Sequence, residues 1–568
     1  MKGIGVSRGI GIGKILRIET HTLTYTPHIV TDTASETKRF HAAVETFCGN
    51  TLQQAEALRI SAGEQEAEIM LGHISLVKDP FLLGEVNKRI SSGQCAEAAF
   101  EGMCDWFIAA FESAEEDMTR QRAADVRDVK AGVLRILLGI SEMKISDAPA
   151  GTVLCASELT PSMMAQINKE NIVGILTETG STTSHSAILA SVLEIPAVMS
   201  VSGIMDAAAN GMMVIVDGSK GDVILSPEGS VLQRYVVRRE KLLQEHRELE
   251  AFRGKPTISA DGISYALVCN IGKPEDAVKV MECDGEGVGL FRTEFLFMDK
   301  TSVPTEEEQF KAYQQAVLIL KGKPLIIRTL DIGGDKDIPY LHLAKEENPF
   351  MGLRAIRYCL KHRELFKTQL RAILRASAFG PVSIMLPLIT CVEEVREGKA
   401  LVEECKAELR DEHMAFDEAI KVGIMVETAA AGVMADWLAQ ECDFFSIGTN
   451  DLTGYTMAAD RGNSEVSYLY STMQPSVLHM IKSIIEAGRR HHIPVGMCGE
   501  AAADPGMIPL LISFGLTEFS VSTPSVLRVR KHIAAWTKEK ADEIAAQVMT
   551  FATQQEVAQY LKGKGTVK

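Results

Sequence analysis

Nine residues of this chain have types and positions that suit one reaction. Arg292 in GLFRTEF and Arg328 in IIRTLDIGGDK close short apolar runs, and Arg354 in NPFMGLRAIR and Arg461 in AADRGN stand in the loops between later runs. Guanidinium forks take phosphate and carboxylate in bidentate fashion, so several at one mouth suit a small, highly anionic ligand. A lone arginine more commonly pairs with a nearby carboxylate, but the strand-end positions of Arg292 and Arg328 favour the ligand. Glu427 in IMVETAA and Asp451 in IGTNDLT end neighbouring runs beside Asn450. Such an oxygen-rich set suits a hard cation such as Mg²⁺, which can bridge a phosphoryl oxygen to a second ligand oxygen. Asp451 alone also reads as an acidic cap on a following helix. Cys498 in VGMCGE ends another run, where a thiol can hand a proton to a carbanion or enolate. A free cysteine can equally be a small buried apolar side chain. His185 follows small hydroxylated residues in GSTTSHSAILASVLEIPA, at the start of a helical pattern. Free amides and the positive dipole end stabilise a phosphoryl group there, and a neutral imidazole nitrogen is a competent nucleophile. Capping or packing at a helix start is the competing role.

These residues need elements to hold them. From about residue 257 onward the runs YALVCNI, GVGLF, PLIIRTL, SIMLPLI, VGIMVET, DFFSIGT, PVGMCG and EFSVS alternate with helical patterns. Eight strand-like runs separated by helices predict a (β/α)8 TIM barrel, whose chemistry sits at the C-terminal ends of its strands. Ahead of it, GTVLCA, IVGILTE, PAVMS, MMVIVDG and DVILS predict a smaller α/β domain over 145–226 that carries His185. The glycine-rich opening residues 1–30 are expected to complete its sheet. Gly9, Gly11 and Gly13 resemble a dinucleotide fingerprint, but no helix and no ribose-binding acid follow, so strand–turn–strand is the reading. Residues 31–144 read as an inserted helical bundle, 227–255 as a connecting helix ended by Gly254-Lys255-Pro256, and 256–568 as the barrel.

Length and composition agree with this α/β multidomain architecture. A chain of 568 residues exceeds one domain several-fold. Hydrophobic residues at 46% with aromatics at only 6% suit an aliphatic α/β core. A formal charge of −16 argues against nucleic acid as a partner. Eleven scattered cysteines without a CxxC pair, a polar glycine-rich N-terminus and no membrane-length apolar run predict a reduced, cytoplasmic protein without membrane insertion.

Taken together the segments resemble Enzyme I of the bacterial sugar phosphotransferase system. The likeness is strongest from about 285 to 525, in EGVGLFRTEFLFMD, IIRTLDIGGDK, EENPFMGLRAIR, FFSIGTNDLT, DRGN and GMCGE, with weaker collinear motifs ELTPS, TSHSAI and VDGSKGDVILSP before it. The resemblance implies a phosphoenolpyruvate-protein phosphotransferase. Its barrel would bind phosphoenolpyruvate through Arg292, Arg328, Arg354, Arg461 and Asn450, with Mg²⁺ on Glu427 and Asp451. His185 would take the phosphoryl group, Cys498 would protonate the enolate to pyruvate, and phospho-His185 would pass its group to the carrier HPr docked on the helical bundle. It also implies a homodimer formed through the barrel.

Departures from the family pattern gather near His185. Gly180, Ser181 and Thr182 replace a usual Gly-Gly-Arg, Met164 stands for an orienting threonine, and Ser191 for an arginine. In the barrel Ala429 replaces a proline, Gly454 a glutamine, and STMQP a common Asp-Pro-Leu-His-Pro. These changes keep two alternatives open: a divergent paralogue serving another carrier, and a non-catalytic phosphoenolpyruvate sensor. A dikinase or synthase relative shares the histidine motif and barrel. It would need a nucleotide-binding domain with a phosphate-cradling glycine loop, and the roughly 145 residues ahead of the histidine domain lack one.

Overall fold

Short β-branched runs on either side of a long helical stretch build one sheet. In the computed structural model the described residues are all except 19–22, 62–63, 114–116, 141–144, 182–183, 299, 301, 334–337, 342 and 565–568, and His185 is described by its backbone alone. The strands are β1 (Ile4–Ser7), β2 (Ile10–Ile18), β3 (Thr152–Ala156), β4 (Ile172–Thr177), β5 (Ala197–Met199), β6 (Met213–Asp217) and β7 (Asp222–Leu225). Their order is β1-β5-β4-β3-β2-β6-β7. The four strands from β2 to β5 run parallel, and β1 and β6 lie antiparallel against their outer members. The opening glycines serve this sheet rather than a nucleotide. A Cβ on Gly11 would lie 2.2 Å from the Val173 carbonyl oxygen, and one on Gly13 would lie 2.2 Å from that of Gly151.

Among the described residues between β2 and β3 are the α-helices α1 (Thr33–Ser61), α2 (Glu64–Val77), α3 (Pro80–Ser91), α4 (Ala96–Glu112) and α5 (Asp117–Leu138). Asp79 caps α3, its carboxylate accepting from Phe81 N at 3.0 Å and Leu82 N at 2.9 Å, and Pro80 fills the first turn. Phe40, Val44, Leu82, Ile90, Phe100, Val126 and Val133 pack the bundle core. Asp128 of α5 ties the bundle to the sheet layer, accepting from Ser162 Oγ at 2.7 Å and Ser162 N at 3.1 Å.

Contacts divide the chain into two compact units, Met1–His246 and Arg247–Lys568, so the boundary falls inside the helix Gly229–Glu250. Most of that helix belongs to the first unit. Its Arg238 donates to the fully buried Asp217 of β6 at 2.6 Å, and Tyr235 is buried. Asp217→Asn keeps an acceptor for Lys220 N but loses the charged pair. It should destabilise the first unit by about 1–2 kcal/mol, read as an earlier thermal transition.

The second unit is a barrel. β8 (Ala266–Ile271), β9 (Val288–Phe291), β10 (Leu325–Arg328), β11 (Val382–Leu386), β12 (Lys421–Val426), β13 (Phe445–Ile447), β14 (Val495–Met497) and β15 (Glu518–Val521) close into one ring, every pair parallel. Each of the eight apolar runs became one strand, as expected where both faces of a parallel strand are covered. Leu290, Ile326, Met385, Met425, Phe444 and Cys498 form a separate cluster. A much larger apolar layer lies between the ring and its helices. Among the described residues no helix is long and apolar enough to cross a membrane.

Candidate active site

Parallel strands in a ring deliver their C-terminal ends to one mouth. Arg292 follows β9, Arg328 ends β10, Glu427 follows β12, and Cys498 follows β14. Asn450 and Asp451 sit in the first turn of the helix Thr449–Met457 after β13. Arg354 immediately precedes the helix Ala355–Lys361, and Arg461 lies in an exposed turn after Thr449–Met457.

Two of the arginines are buried and share acids. Arg328 Nη2 donates to Glu294 Oε1 at 2.9 Å, and its Nη1 lies 3.0 Å from Asp331 Oδ2. Arg354 Nη2 donates to Asp331 Oδ1 at 2.7 Å and stands 3.6 Å from Asp451 Oδ2. Asp331 N donates in turn to Glu294 Oε1 at 3.2 Å. Burial works against both guanidinium charges. The neighbouring carboxylates outweigh it and hold both groups firmly protonated. The pairing expected of isolated arginines is therefore present, but it does not use up their donors. Arg328 Nε, Arg354 Nε and Arg354 Nη1 are buried without a hydrogen-bond partner among the described residues. Orphaned buried guanidinium N–H groups are costly, and an anion resting on them removes that cost.

Glu427 is 2% exposed, with Oε1 accepting from Leu388 N at 2.7 Å. Gly448 makes room for it: a Cβ there would come within 2.8 Å of Glu427 Oε2. Burial, then the charges of Asp331 and Asp451, push the Glu427 carboxyl up; Arg328 opposes them. Negative charge is thus crowded between Glu427, Asp331 and Asp451, which fits a bound cation. Among the described residues no three His, Cys, Asp or Glu side chains form a metal cage by themselves. A cation here would take Glu427 and Asp451 and complete its shell with oxygens of the ligand and water, the usual habit of a small hard ion.

Cys498 lies within electrostatic reach of Glu427 and of Arg328 and Arg292. The residue is 3% exposed, and burial pushes its thiol up to about 11; the Ser446 hydroxyl beside it opposes the rise most, Glu427 adds to it, and Arg328 and Arg292 also oppose it. It therefore carries its proton at neutral pH, the state a proton donor needs. Gly499 lets the helix that follows the preceding strand, β13, close in, since a Cβ there would lie 1.8 Å from Thr449 Oγ1. Asn450 Oδ1 accepts from Glu500 N at 3.4 Å, and Asn450 O from the Tyr470 hydroxyl at 2.8 Å. Arg461 lies beside that same phenol. The eight barrel residues picked out by sequence thus meet in one region.

His185 belongs to the other compact unit and opens the helix His185–Val192. Ser184 caps that helix, its Oγ accepting from Ala187 N at 3.3 Å, and Gly180 turns the preceding loop at φ +120°. The His185 side chain and Thr182 lie outside the described residues. Met164 is fully buried in the apolar cluster with Leu154, Ile175 and Leu189, while Ser181 and Ser191 are exposed.

With this geometry in view, three family models cover most of the chain. The PEP-binding domain of PEP-utilising enzymes matches residues 246–538, the N-terminal domain of those enzymes 2–122, and their mobile domain 148–221. A phosphoenolpyruvate-protein phosphotransferase of Bacillus sp. (strain S) is 43% identical over 99% of this chain and 97% of its own. The protein of that name from Bacillus subtilis (strain 168) is 42% identical over 99% of both. The chain belongs to the phosphoenolpyruvate-protein phosphotransferase family. A solution structure of an Enzyme I protein matches 43% of this chain and 99% of its own at 31% identity, with a TM-score of 0.39.

For a phosphoenolpyruvate-protein phosphotransferase, the acids that sequence reasoning passed over are as informative as those it found. Glu294 and Asp331 organise both buried arginines, yet neither was singled out. The signal was available: each lies two or three residues beyond a strand-end arginine, in Arg292-Thr293-Glu294 and Arg328-Thr329-Leu330-Asp331. Behind them Thr293 Oγ1 donates to Arg328 O at 3.0 Å and accepts from Gln369 Nε2 at 3.1 Å, so the two arginine loops share a buried brace.

Proposed function

We propose that this chain transfers the phosphoryl group of phosphoenolpyruvate to His185 and then to a histidine of an HPr-like carrier, releasing pyruvate as the first step of sugar uptake. The observation that carries the reading is the set of unpartnered buried guanidinium N–H groups at the same barrel mouth as a crowded group of acids and a protonated thiol. Arg292, Arg328, Arg354 and Arg461, with Asn450, hold the phosphate and carboxylate. Glu427 and Asp451 would hold Mg²⁺, which would supply neutralisation of phosphoryl charge when bound. A His185 ring nitrogen attacks phosphorus, the bond from phosphorus to the enol oxygen breaks, and that oxygen leaves as enolate. The Cys498 thiol gives its proton to the enolate methylene carbon, pyruvate leaves, and solvent restores the thiol. Most of the rate comes from positioning and charge neutralisation.

The domain division follows the same logic: a histidine domain of 1–30 and 145–226, a carrier-binding bundle of 31–144, a connecting helix and a barrel. Exposed Phe81 and Trp106, each meeting Phe107 edge-on across α3 and α4, offer the carrier an aromatic surface. Exposed Val433 and Trp437 after β12 favour a homodimer through the barrel. All eleven cysteines are free, which suits the reducing cytoplasm.

Incubation with phosphoenolpyruvate labelled at phosphorus and Mg²⁺ tests the reading. The wild-type chain should gain acid-labile label and lose it to at least one member of a panel of HPr-like carriers. Absence of any acid-labile label would leave only a sensor of phosphoenolpyruvate. Label that no carrier accepts would point to a different acceptor, in line with the buried Met164 and the exposed Ser191 near the histidine helix.

A further inference from the structure

A proton donor is useful only if its thiol is aimed, and the backbone that aims Cys498 lies just past the end of its strand. The ladder between β14 and β15 stops at Met497 opposite Phe519. Cys498 N still donates to Ile447 O of β13, at 3.1 Å, but its carbonyl has left the ladder. That carbonyl is taken by a side chain from two strands away: Asn270 Nδ2, on β8, donates to Cys498 O at 3.0 Å. The strand between them supplies the second contact, since the fully buried Ser520 of β15 donates through Oγ to Asn270 Oδ1 at 2.6 Å. Room for Ser520 comes from Gly289 of β9, where a Cβ would lie 2.6 Å from that hydroxyl. Three strands are thus linked through one planar amide, whose acceptor end is fixed by Ser520 and whose donor end is fixed on the Cys498 peptide.

We propose that Asn270, oriented by Ser520, is the positioning residue that aims the Cys498 thiol at the substrate carbon. The inference rests on Cys498 being the proton donor. An amide is required because it offers a donor and an acceptor on one rigid group. A carboxylate of the same shape has two acceptors, and its oxygen would repel the Cys498 carbonyl. Asn270→Asp therefore preserves volume and reverses one contact. Ser520→Ala frees the amide to rotate and should act in the same direction more weakly.

The test separates proton transfer at carbon from phosphoryl transfer. Exchange of pyruvate methyl protons for deuterium, followed by NMR with Mg²⁺ present, reports the thiol at the carbon. Single-turnover labelling from phosphoenolpyruvate reports phosphoryl transfer alone. Asn270→Asp should slow the exchange roughly ten- to hundredfold, the usual cost of a misaimed catalytic group. Its labelling rate and KM for phosphoenolpyruvate should stay within about twofold. Exchange at the wild-type rate in Asn270→Asp would overturn the proposal. So would equal loss of exchange, labelling and thermal stability, which marks a merely structural residue. Cys498→Ala run alongside keeps the two ideas apart. Exchange that survives it removes the donor assignment itself, whatever Asn270→Asp does.

Discussion

Replacing His185 by alanine should abolish acid-labile labelling by phosphoenolpyruvate while the barrel binds the substrate within about twofold of wild type. The two halves of this prediction come from two compact units with separate apolar cores. His185 occupies the first position of its helix, where the cap is made by Ser184 and not by the histidine. Alanine is tolerated there, and the helix amides that would hold a phosphoryl group remain in place. Only the nucleophile is lost. Ligand binding by calorimetry and labelling on an acid-treated gel read the two halves independently. Label persisting on the variant would mean another acceptor. Loss of substrate binding as well would mean that His185 has a role inside the barrel site.

The barrel was legible because its strands are short continuous apolar runs, the pattern of parallel strands buried on both faces, and because strand ends are where side chains meet. Arg328, Glu427 and Cys498 could thus be assigned to one mouth from spacing alone. Glu294 and Asp331 could not, because a residue two or three places beyond a strand faces either the mouth or the following helix, and only the fold decides. Asn270 left a fainter trace as the single polar residue in YALVCNI, where amide partners two strands away are invisible in sequence. The opening glycines read as strand–turn–strand, and that segment forms β1 and β2. Their spacing imitates a phosphate-binding turn, yet the backbone contacts at Gly11 and Gly13 show that they permit close sheet packing. Met164, a departure from the family pattern near His185, is fully buried in an apolar cluster of the fold.

Cys498→Ala should slow pyruvate formation by about 10²- to 10⁴-fold, the range for loss of a general acid, and leave phosphoenolpyruvate affinity nearly unchanged. The arginines and acids proposed to hold the substrate and its cation do not hydrogen-bond to the Cys498 thiol, which lies 3.7 Å from Ile447 O and also beside Ser446, so binding has little reason to change. Removing one buried sulfur costs about 1 kcal/mol of stability, too little to unfold the barrel. The pH profile gives a second, independent signature. Burial and Glu427 hold the folded thiol near about 11, against 9.0 for a free one, so the donor stays protonated across the neutral and mildly alkaline range. Catalysis limited by this proton should therefore hold level above pH 9 and fall only as the folded thiol ionises. Stability moves with the opposite emphasis. Between those two values the unfolded chain has released the proton and the folded chain retains it. By linkage the fold loses stability as pH rises through that window. In Cys498→Ala both the alkaline rate limb and this share of the alkaline instability should vanish together. A variant that kept either one would show that a different group carries the proton.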